Sequence, residues 1–454
     1  MGEGTTDSFP QYILKEMKLN PATFYAEASP TWKLGLHFLW GPRKHFIYNF
    51  TNQFDERWPG LRRNNGYYCE DSVDDLNLNA ALHLRNKVFP RRLDGWPDLS
   101  QQYTVAYHIE NAKLVKYLEN RCLGLGATIR DGTVQHAERD DHGIKALILE
   151  DGTRVTGDLF VDASGFRGEL IFKALKEPWH DYSNALFCDR AVIGGWERTN
   201  EIIQPYTVCE TMDSGWAWRI DHENFINRGY VFASRFISDE QAREELLRKN
   251  PKIPPDRTRV VKFRSGRAER LWVQNVVTIG NASGFVEPLE ATALARIIDQ
   301  TRAMVSILID SDFEVPPGYV DLFNRMQCYS WDQIRDFIAL HYKFNTRLDT
   351  PFWKLCIEDT PLGDAQGLAD FYMANGPTVL HRHTYLPANH QFGIEGYLAL
   401  LIGQKVPYKV RHNTTADEIE ALNGHRKRFG AIADKAFTVR DALDALRKPS
   451  WRWS

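Results

Sequence analysis

Cysteine is scarce: six residues (Cys69, Cys122, Cys188, Cys209, Cys328 and Cys356) are scattered over 454 positions, and no two form a C-x-x-C pair. That spacing excludes a disulfide framework and offers no metal ligand set, so reduced thiols in a cytoplasmic setting are expected. Long hydrophobic runs are absent as well. The longest, residues 303–309 and 397–402, fall far short of the roughly 18 residues that a membrane-spanning helix needs. The opening residues have neither the basic nor the apolar stretch of a secretory signal. Charge of one sign is also lacking, with 56 Lys and Arg against 59 Asp and Glu and a net charge of −3. Nucleic acid would call for a basic stripe, and the one dense basic stretch, His425-Arg426-Lys427-Arg428, reads as a solvated helix face. Repeats and low-complexity linkers are missing too. What remains is ordinary globular material.

Aromatic residues are plentiful: 13 Trp, 18 Tyr and 25 Phe make 12% of the chain. They supply core volume and flat surfaces for a planar ligand. Apolar spacing predicts helices over residues 7–18, 111–123 and 239–249, the last capped by Ser238 or Asp239. Residues 32–40 and 46–50 read as a pair of strands, residues 133–139, 145–149 and 159–163 as three more, and 184–236 as mostly β. Residues 71–92 are polar and read as irregular. From about Val320 the pattern is helix and loop, which places a subdivision at 320/321.

Three segments stand out chemically. The first runs from Thr278-Ile279-Gly280-Asn281-Ala282-Ser283-Gly284 to Pro288-Leu289-Glu290-Ala291-Thr292-Ala293-Leu294: a buried strand, a small-residue turn and a helix start. Small residues let a backbone approach a flat ligand, and a helix N-terminus offers unpaired N–H groups to an anion. The same pattern fits a plain strand–turn–helix junction with Glu290 as a dipole-complementing acid of the first turn. Physics alone does not choose. The second, Gly215-Trp216-Ala217-Trp218-Arg219-Ile220-Asp221, puts two Trp on one face of a strand. The third, Trp32-Lys33-Leu34-Gly35-Leu36-His37-Phe38, sets a lysine in an apolar strand, where it is costly unless paired or functional. Desolvation there would lower its pKa and enlarge its neutral fraction.

Together these segments resemble the flavin-dependent halogenases of the tryptophan-halogenase family. The first is similar to the family's flavin- and halide-contacting stretch, where Glu-Ser-Thr-Gly follows Pro-Leu. The resemblance implies flavin contacts at Gly280, Asn281 and Leu294, a catalytic acid at Glu290, and halide-holding N–H groups at Thr292 and Ala293. Ala291 and Ala293 replace the family's Ser and Gly, and both keep their N–H. The second resembles the family's G-W-x-W-x-I-P, with Asp221 for the proline, and implies that Trp216 and Trp218 shield the flavin. The third implies Lys33 as the catalytic lysine. Asp158-Leu159-Phe160-Val161-Asp162-Ala163-Ser164-Gly165 resembles a segment shared with flavin monooxygenases, and Val134, on the strand before it, matches a position near the adenosine side of FAD. Gly2, Glu3, Gly4 and Thr5 resemble the flavin contact that follows the family's opening G-x-G-x-x-G unit. That unit, a strand–loop–helix–strand of about 30–50 residues, is not in the sequence. Tyr67-Tyr68-Cys69-Glu70-Asp71 stands where tryptophan halogenases carry Phe-Tyr-His-Pro-Phe, so free tryptophan is not the expected substrate.

The resemblance implies a mixed α/β fold: an FAD- and halide-binding domain of the flavin monooxygenase/halogenase type with substrate-facing strands over 1–320, and a mainly helical substrate-side subdomain over 321–454. It implies an oxidoreductase using reduced FAD from a separate flavin reductase, dioxygen, and chloride or bromide. A flavin hydroperoxide would convert halide to hypohalous acid. Lys33 would hold that acid by a hydrogen bond or as a haloamine, and Glu290 would assist attack by an indole- or phenol-like ring. A homodimer is possible; nucleic acid and membrane are not expected partners. Two alternatives stay open. One is a flavin-dependent aromatic monooxygenase, which shares Asp162-Ala163-Ser164-Gly165 but does not need Lys33 with Trp216 and Trp218. The other is an inactive, truncated halogenase homologue without its dinucleotide anchor.

Overall fold

The computed structural model describes residues 2–453 except 52, 53, 381, 383, 388 and 389. The chain divides into two units: unit 1 is Met1–Tyr117, Phe187–Lys262 and Asp336–Ser454, and unit 2 is Leu118–Leu186 and Phe263–Arg335.

Unit 1 is built on two sheets. The larger has seven strands in the order Arg259–Lys262, Arg190–Glu197, Phe225–Phe232, Gly215–Asp221, Thr207–Met212, Gly35–Leu39 and Phe46–Asn49. Neighbours are antiparallel except Thr207–Met212 with Gly35–Leu39, which run parallel. One face packs on the helix Asp239–Lys249: Val192, Met212, Ala217, Tyr230 and Phe232 meet Ala242 and Leu246 in one apolar cluster. That helix starts where the sequence expects. Ser238 and Gln241 form a reciprocal capping box, with acids in the first turn and Arg248 and Lys249 in the last. The smaller sheet has the order Gly2–Gly4, Ala106–Glu110, Thr31–Lys33, all antiparallel.

Residues 32–40 are therefore not one strand. Thr31–Lys33 and Gly35–Leu39 part at Leu34 and enter different sheets. The Leu34 N–H donates to Pro205 O at 2.7 Å, and Leu34 O accepts from the Phe50 N–H at 3.2 Å. Gly35 lies so close to the next strand that a β-carbon would sit 2.2 Å from Tyr48 O. Backbone contacts decide the break. Residues 71–92 also differ from expectation, because Leu78–Leu84 is a helix. The Asn77 side chain accepts from the Ala80 N–H at 2.7 Å, and Leu82 and His83 are fully buried.

Unit 2 holds three small sheets. Trp272–Val273, Val276–Thr278 and Phe160–Asp162 form one, with the last two strands parallel. Val134–Asp140, Gly143–Leu149 and Arg154–Val155 form a meander, and Trp179–Asp181, Gly266–Ala268 and Gly284–Phe285 the third. Ile144, Phe160, Leu170 and Val276 make a core between the first two. Beyond Phe285 the regular elements are helices, beginning with Pro288–Glu290 and Ala293–Asp310. The mix of helix and strand is the α/β class that the sequence implies.

Candidate active site

In unit 1, Lys33 is fully buried. Its strand pairs with Ala106–Glu110, whose other edge pairs with Gly2–Gly4. The shared strand brings the N-terminal segment to the amine, and Lys33 Nζ donates to Thr5 O at 3.0 Å. Thr5 is itself fixed: its N–H donates to Tyr107 O at 2.8 Å, and its hydroxyl accepts from the Tyr107 N–H at 2.9 Å. The Phe50 ring centre lies 5.2 Å from the amine, in cation–π range. Sequence reasoning missed Phe50 because it looked for pocket aromatics at Tyr67-Tyr68-Cys69. Tyr68 instead donates to Glu418 Oε1 at 2.8 Å. The aromatic alternation of Phe46, Tyr48 and Phe50 beside the lysine strand was the available signal.

His108, also on the shared strand, is fully buried. Burial first, and then the Lys33 charge, hold its imidazole well below the ordinary histidine range. A neutral ring suits its partners. Nδ1 faces Asp221 O at 3.3 Å and must donate, so Nε2 accepts from the Thr207 hydroxyl at 2.9 Å.

Ala217 faces the core cluster, so alternation turns Trp216 and Trp218 to the opposite face of their strand. Their ring centres are 6.1 Å apart. Trp218 Nε1 donates to Asn227 Oδ1 at 2.8 Å, and a β-carbon at Gly229 would sit 2.0 Å from the Trp218 ring. The rings are held in place. Asp221 is buried and pairs with Arg219 at 2.8 Å and Arg198 at 3.3 Å.

In unit 2, the Asp162-Ala163-Ser164-Gly165 turn is tied by one carboxylate. Asp162 Oδ1 accepts from the Ser164 N–H at 3.0 Å and hydroxyl at 2.6 Å, and Oδ2 from the N–H groups of Leu170 and Ile171 at 2.8 and 2.9 Å. Asp162→Ala strands these donors in a buried setting, each at about 1–3 kcal/mol. We expect it to lower stability by roughly 3 kcal/mol or more, and Asp162→Asn to lower it less. Urea unfolding of both variants measures this.

The next turn is tied to its helix. Gln300 Oε1 accepts from the Gly280 N–H at 3.1 Å, Gln300 Nε2 donates to Ser283 Oγ at 2.8 Å, and Ser283 Oγ donates to Gly280 O at 2.7 Å. Asn281 stands inside this turn, and Leu294 in the helix it leads to. Glu290 is buried and ends the short 3-10 turn Pro288–Glu290, so it lies ahead of the α-helix rather than in its first turn. Ala291 adopts a left-handed conformation (φ 55°, ψ 37°), uncommon for a non-glycine residue. That reversal makes Thr292 the cap and Ala293 the first residue of an 18-residue helix. The N–H groups there have no intrahelical acceptor. Val134 begins the meander, which joins this region through Ile144 and Val276. Gly2, Glu3, Gly4, Thr5, Lys33, Trp216 and Trp218 thus belong to unit 1, and Val134, Gly280, Asn281, Glu290, Thr292, Ala293 and Leu294 to unit 2.

Residues 1–418 match the family model described as tryptophan halogenase. The chain is 36% identical to the tryptophan 7-halogenase RebH of Lentzea aerocolonigenes over 375 residues, 79% of this chain and 69% of that protein. It is 36% identical to the tryptophan 7-halogenase KtzQ of Kutzneria sp. (strain 744) over 70% of this chain, spanning 60% of the length of that relative. Among solved structures it is similar to MibH, a lathipeptide tryptophan 5-halogenase. The TM-score is 0.90 at 32% identity, over 98% of this chain and 85% of that one.

Proposed function

Because the chain belongs to the tryptophan halogenase family, we propose that it halogenates an electron-rich aromatic ring, with Lys33 and Glu290 as its catalytic pair. The observation that carries this reading is the buried amine of Lys33, held at 3.0 Å on Thr5 O beside Gly2–Gly4. An aromatic monooxygenase has no use for such an amine. An indole ring is favoured by the relatives, which are tryptophan halogenases by name. We assign the cofactor and halide contacts, together with substrate-facing strands, to 1–320 and a mainly helical substrate-side subdomain to 321–454, and the expected setting is cytoplasmic. Among the described residues no helix is long and apolar enough to cross a membrane.

The residues present fit FAD. In unit 1 both ring nitrogens of buried His222 hydrogen-bond to no described residue, and the ring lies against Gly2. In unit 2 Gly165 (φ 69°) has nothing within 4 Å of a would-be β-carbon, and Gly280 (φ 58°) also takes a conformation that suits glycine, so a flat ring can approach. Gly2, Glu3, Gly4 and Thr5, and Val134, Gly280, Asn281 and Leu294, are the residues that the family resemblance assigns to the cofactor. When bound, and reduced by a separate reductase, FAD supplies with dioxygen the two-electron oxidation of chloride or bromide to hypohalous acid.

The protein does the rest. The Thr292 and Ala293 N–H groups hold the halide, Trp216 and Trp218 keep the substrate from the cofactor, Lys33 holds the hypohalous acid, and Glu290 takes the ring proton. A panel of indoles and phenols incubated with reductase, FAD and bromide tests this by mass spectrometry. Bromination of an indole is expected; hydroxylation without bromination would overturn it.

A further inference from the structure

We propose that the stacked imidazoles of His37 and His83 form an acid-sensitive latch, which holds the helix Leu78–Leu84 on the large sheet at neutral pH and releases it as pH falls. The latch lies away from the site described above. Register sets Phe38 beside Cys209 and Cys209 beside Trp218, so His37 projects from the opposite face of the sheet. There the His37 ring stacks on His45 at 4.7 Å, on Tyr206 at 5.1 Å and on His83 at 5.4 Å. His83 in turn lies flat on Tyr206, with ring centres 4.0 Å apart. His37 Nδ1 and His83 Nε2 are separated by 3.2 Å and share one proton.

The pair has no place for a second proton. His83 is fully buried, and its Nδ1 has no partner among the described residues. A proton on Nδ1 would be a buried donor without an acceptor, so Nε2 carries the His83 proton and donates to His37 Nδ1. Charging His37 would set N–H against N–H, and charging His83 would leave an unpaired charged donor out of reach of water. The charged groups that face the stack do not relieve this. They are His45, with Asp74 and Arg43 beyond it, and Arg219 and Asp221 beside Tyr206. Asp74 is engaged by the Ile47 N–H at 3.0 Å, and Asp221 by Arg219 and Arg198, so neither acid is bonded to an imidazole. Burial, and then His45, push His37 down to about 4; burial, and then His37 and His45, hold His83 well below the ordinary histidine range. Once released, both rings regain an ordinary value of about 6.5. The released state therefore takes protons below about pH 6.5 that the docked state refuses. Docking weakens as pH falls through that window, by up to about tenfold per pH unit for each ring.

Release reaches the lysine strand. Just past the helix, the Tyr206 hydroxyl donates to Asn86 Oδ1 at 2.8 Å and the Val88 N–H to Phe437 O at 2.9 Å. Phe89 then stands edge-on to Trp32 at 5.0 Å, next to Lys33. Amide hydrogen exchange of the full chain, read by mass spectrometry and corrected for the intrinsic effect of pH, measures the docking. Residues 78–89 should lose protection by roughly tenfold or more between about pH 6.5 and pH 5. The helix Asp239–Lys249, which contains no histidine, should keep its own. Equal loss in both segments, or no loss in residues 78–89, would overturn the proposal. His83→Phe keeps a flat ring on Tyr206 with nothing to titrate, and should remove most of the pH dependence; an undiminished dependence in the folded variant would contradict the latch. If that variant does not fold, histidine-ring NMR of the natural chain decides. His83 should stay neutral, protonated at Nε2, for as long as residues 78–89 are protected, and a charged His83 in the docked state would sink the idea.

Discussion

With Lys33 replaced by alanine, halogenated product is expected to fall by roughly 10²–10³-fold or vanish, the scale of losing a buried donor at a reacting centre, while reduced flavin goes on consuming dioxygen. Hypohalous acid is small and neutral and would otherwise diffuse and react without selectivity. Lys33 is fully buried, with its amine held on Thr5 O and faced by the Phe50 ring. Burying an amine in this way is expensive, and a strand that served only to pack would carry leucine here. Lys33→Met keeps most of the packing volume, so its stability separates a lost function from a lost fold. Following flavin reoxidation and product together in one reaction is the check. Unchanged product formation in both variants would remove Lys33 from the chemistry.

How much of this was legible in the sequence depended on whether the deciding contacts were local. The helix Asp239–Lys249 was legible because its capping box and its charges are written within a few residues of its ends. The residues of the lysine strand were also legible, since a charge among Trp32, Leu34 and Leu36 is anomalous by itself. The break at Leu34 was not. It depends on Pro205 O and Tyr48 O, and Pro205 in particular is remote in the chain. The helix Leu78–Leu84 was hidden by polar neighbours, although Asn77 marked its start. Phe50 was visible as an aromatic, but its placement at the amine follows from the pairing of Phe46–Asn49 with Gly35–Leu39. Glu290 was legible as an acid near a helix start. Its position ahead of the helix depends on the left-handed Ala291, which composition does not announce.

That position gives the second large expectation. Glu290→Gln should lower turnover by roughly 10²-fold or more, the scale of a positioned acid or base, without loss of fold. The two side chains are nearly isosteric, so the buried turn Pro288–Glu290 should persist. A carboxylate that only complemented the helix dipole would contribute about 0.3–1 kcal/mol of stability and nothing to turnover. The two roles therefore separate cleanly: thermal melting reads the first and single-turnover halogenation the second. Full activity in the Gln variant would reduce Glu290 to a structural acid.

The central claim is that oxidising power reaches the ring as halogen and not as oxygen. The most direct measurement runs the reductase-coupled reaction on an indole substrate with bromide under isotopically heavy dioxygen, followed by mass spectrometry of the product. The expected product carries the bromine isotope doublet and no heavy oxygen. A product carrying heavy oxygen and no bromine would contradict the account and identify a monooxygenase.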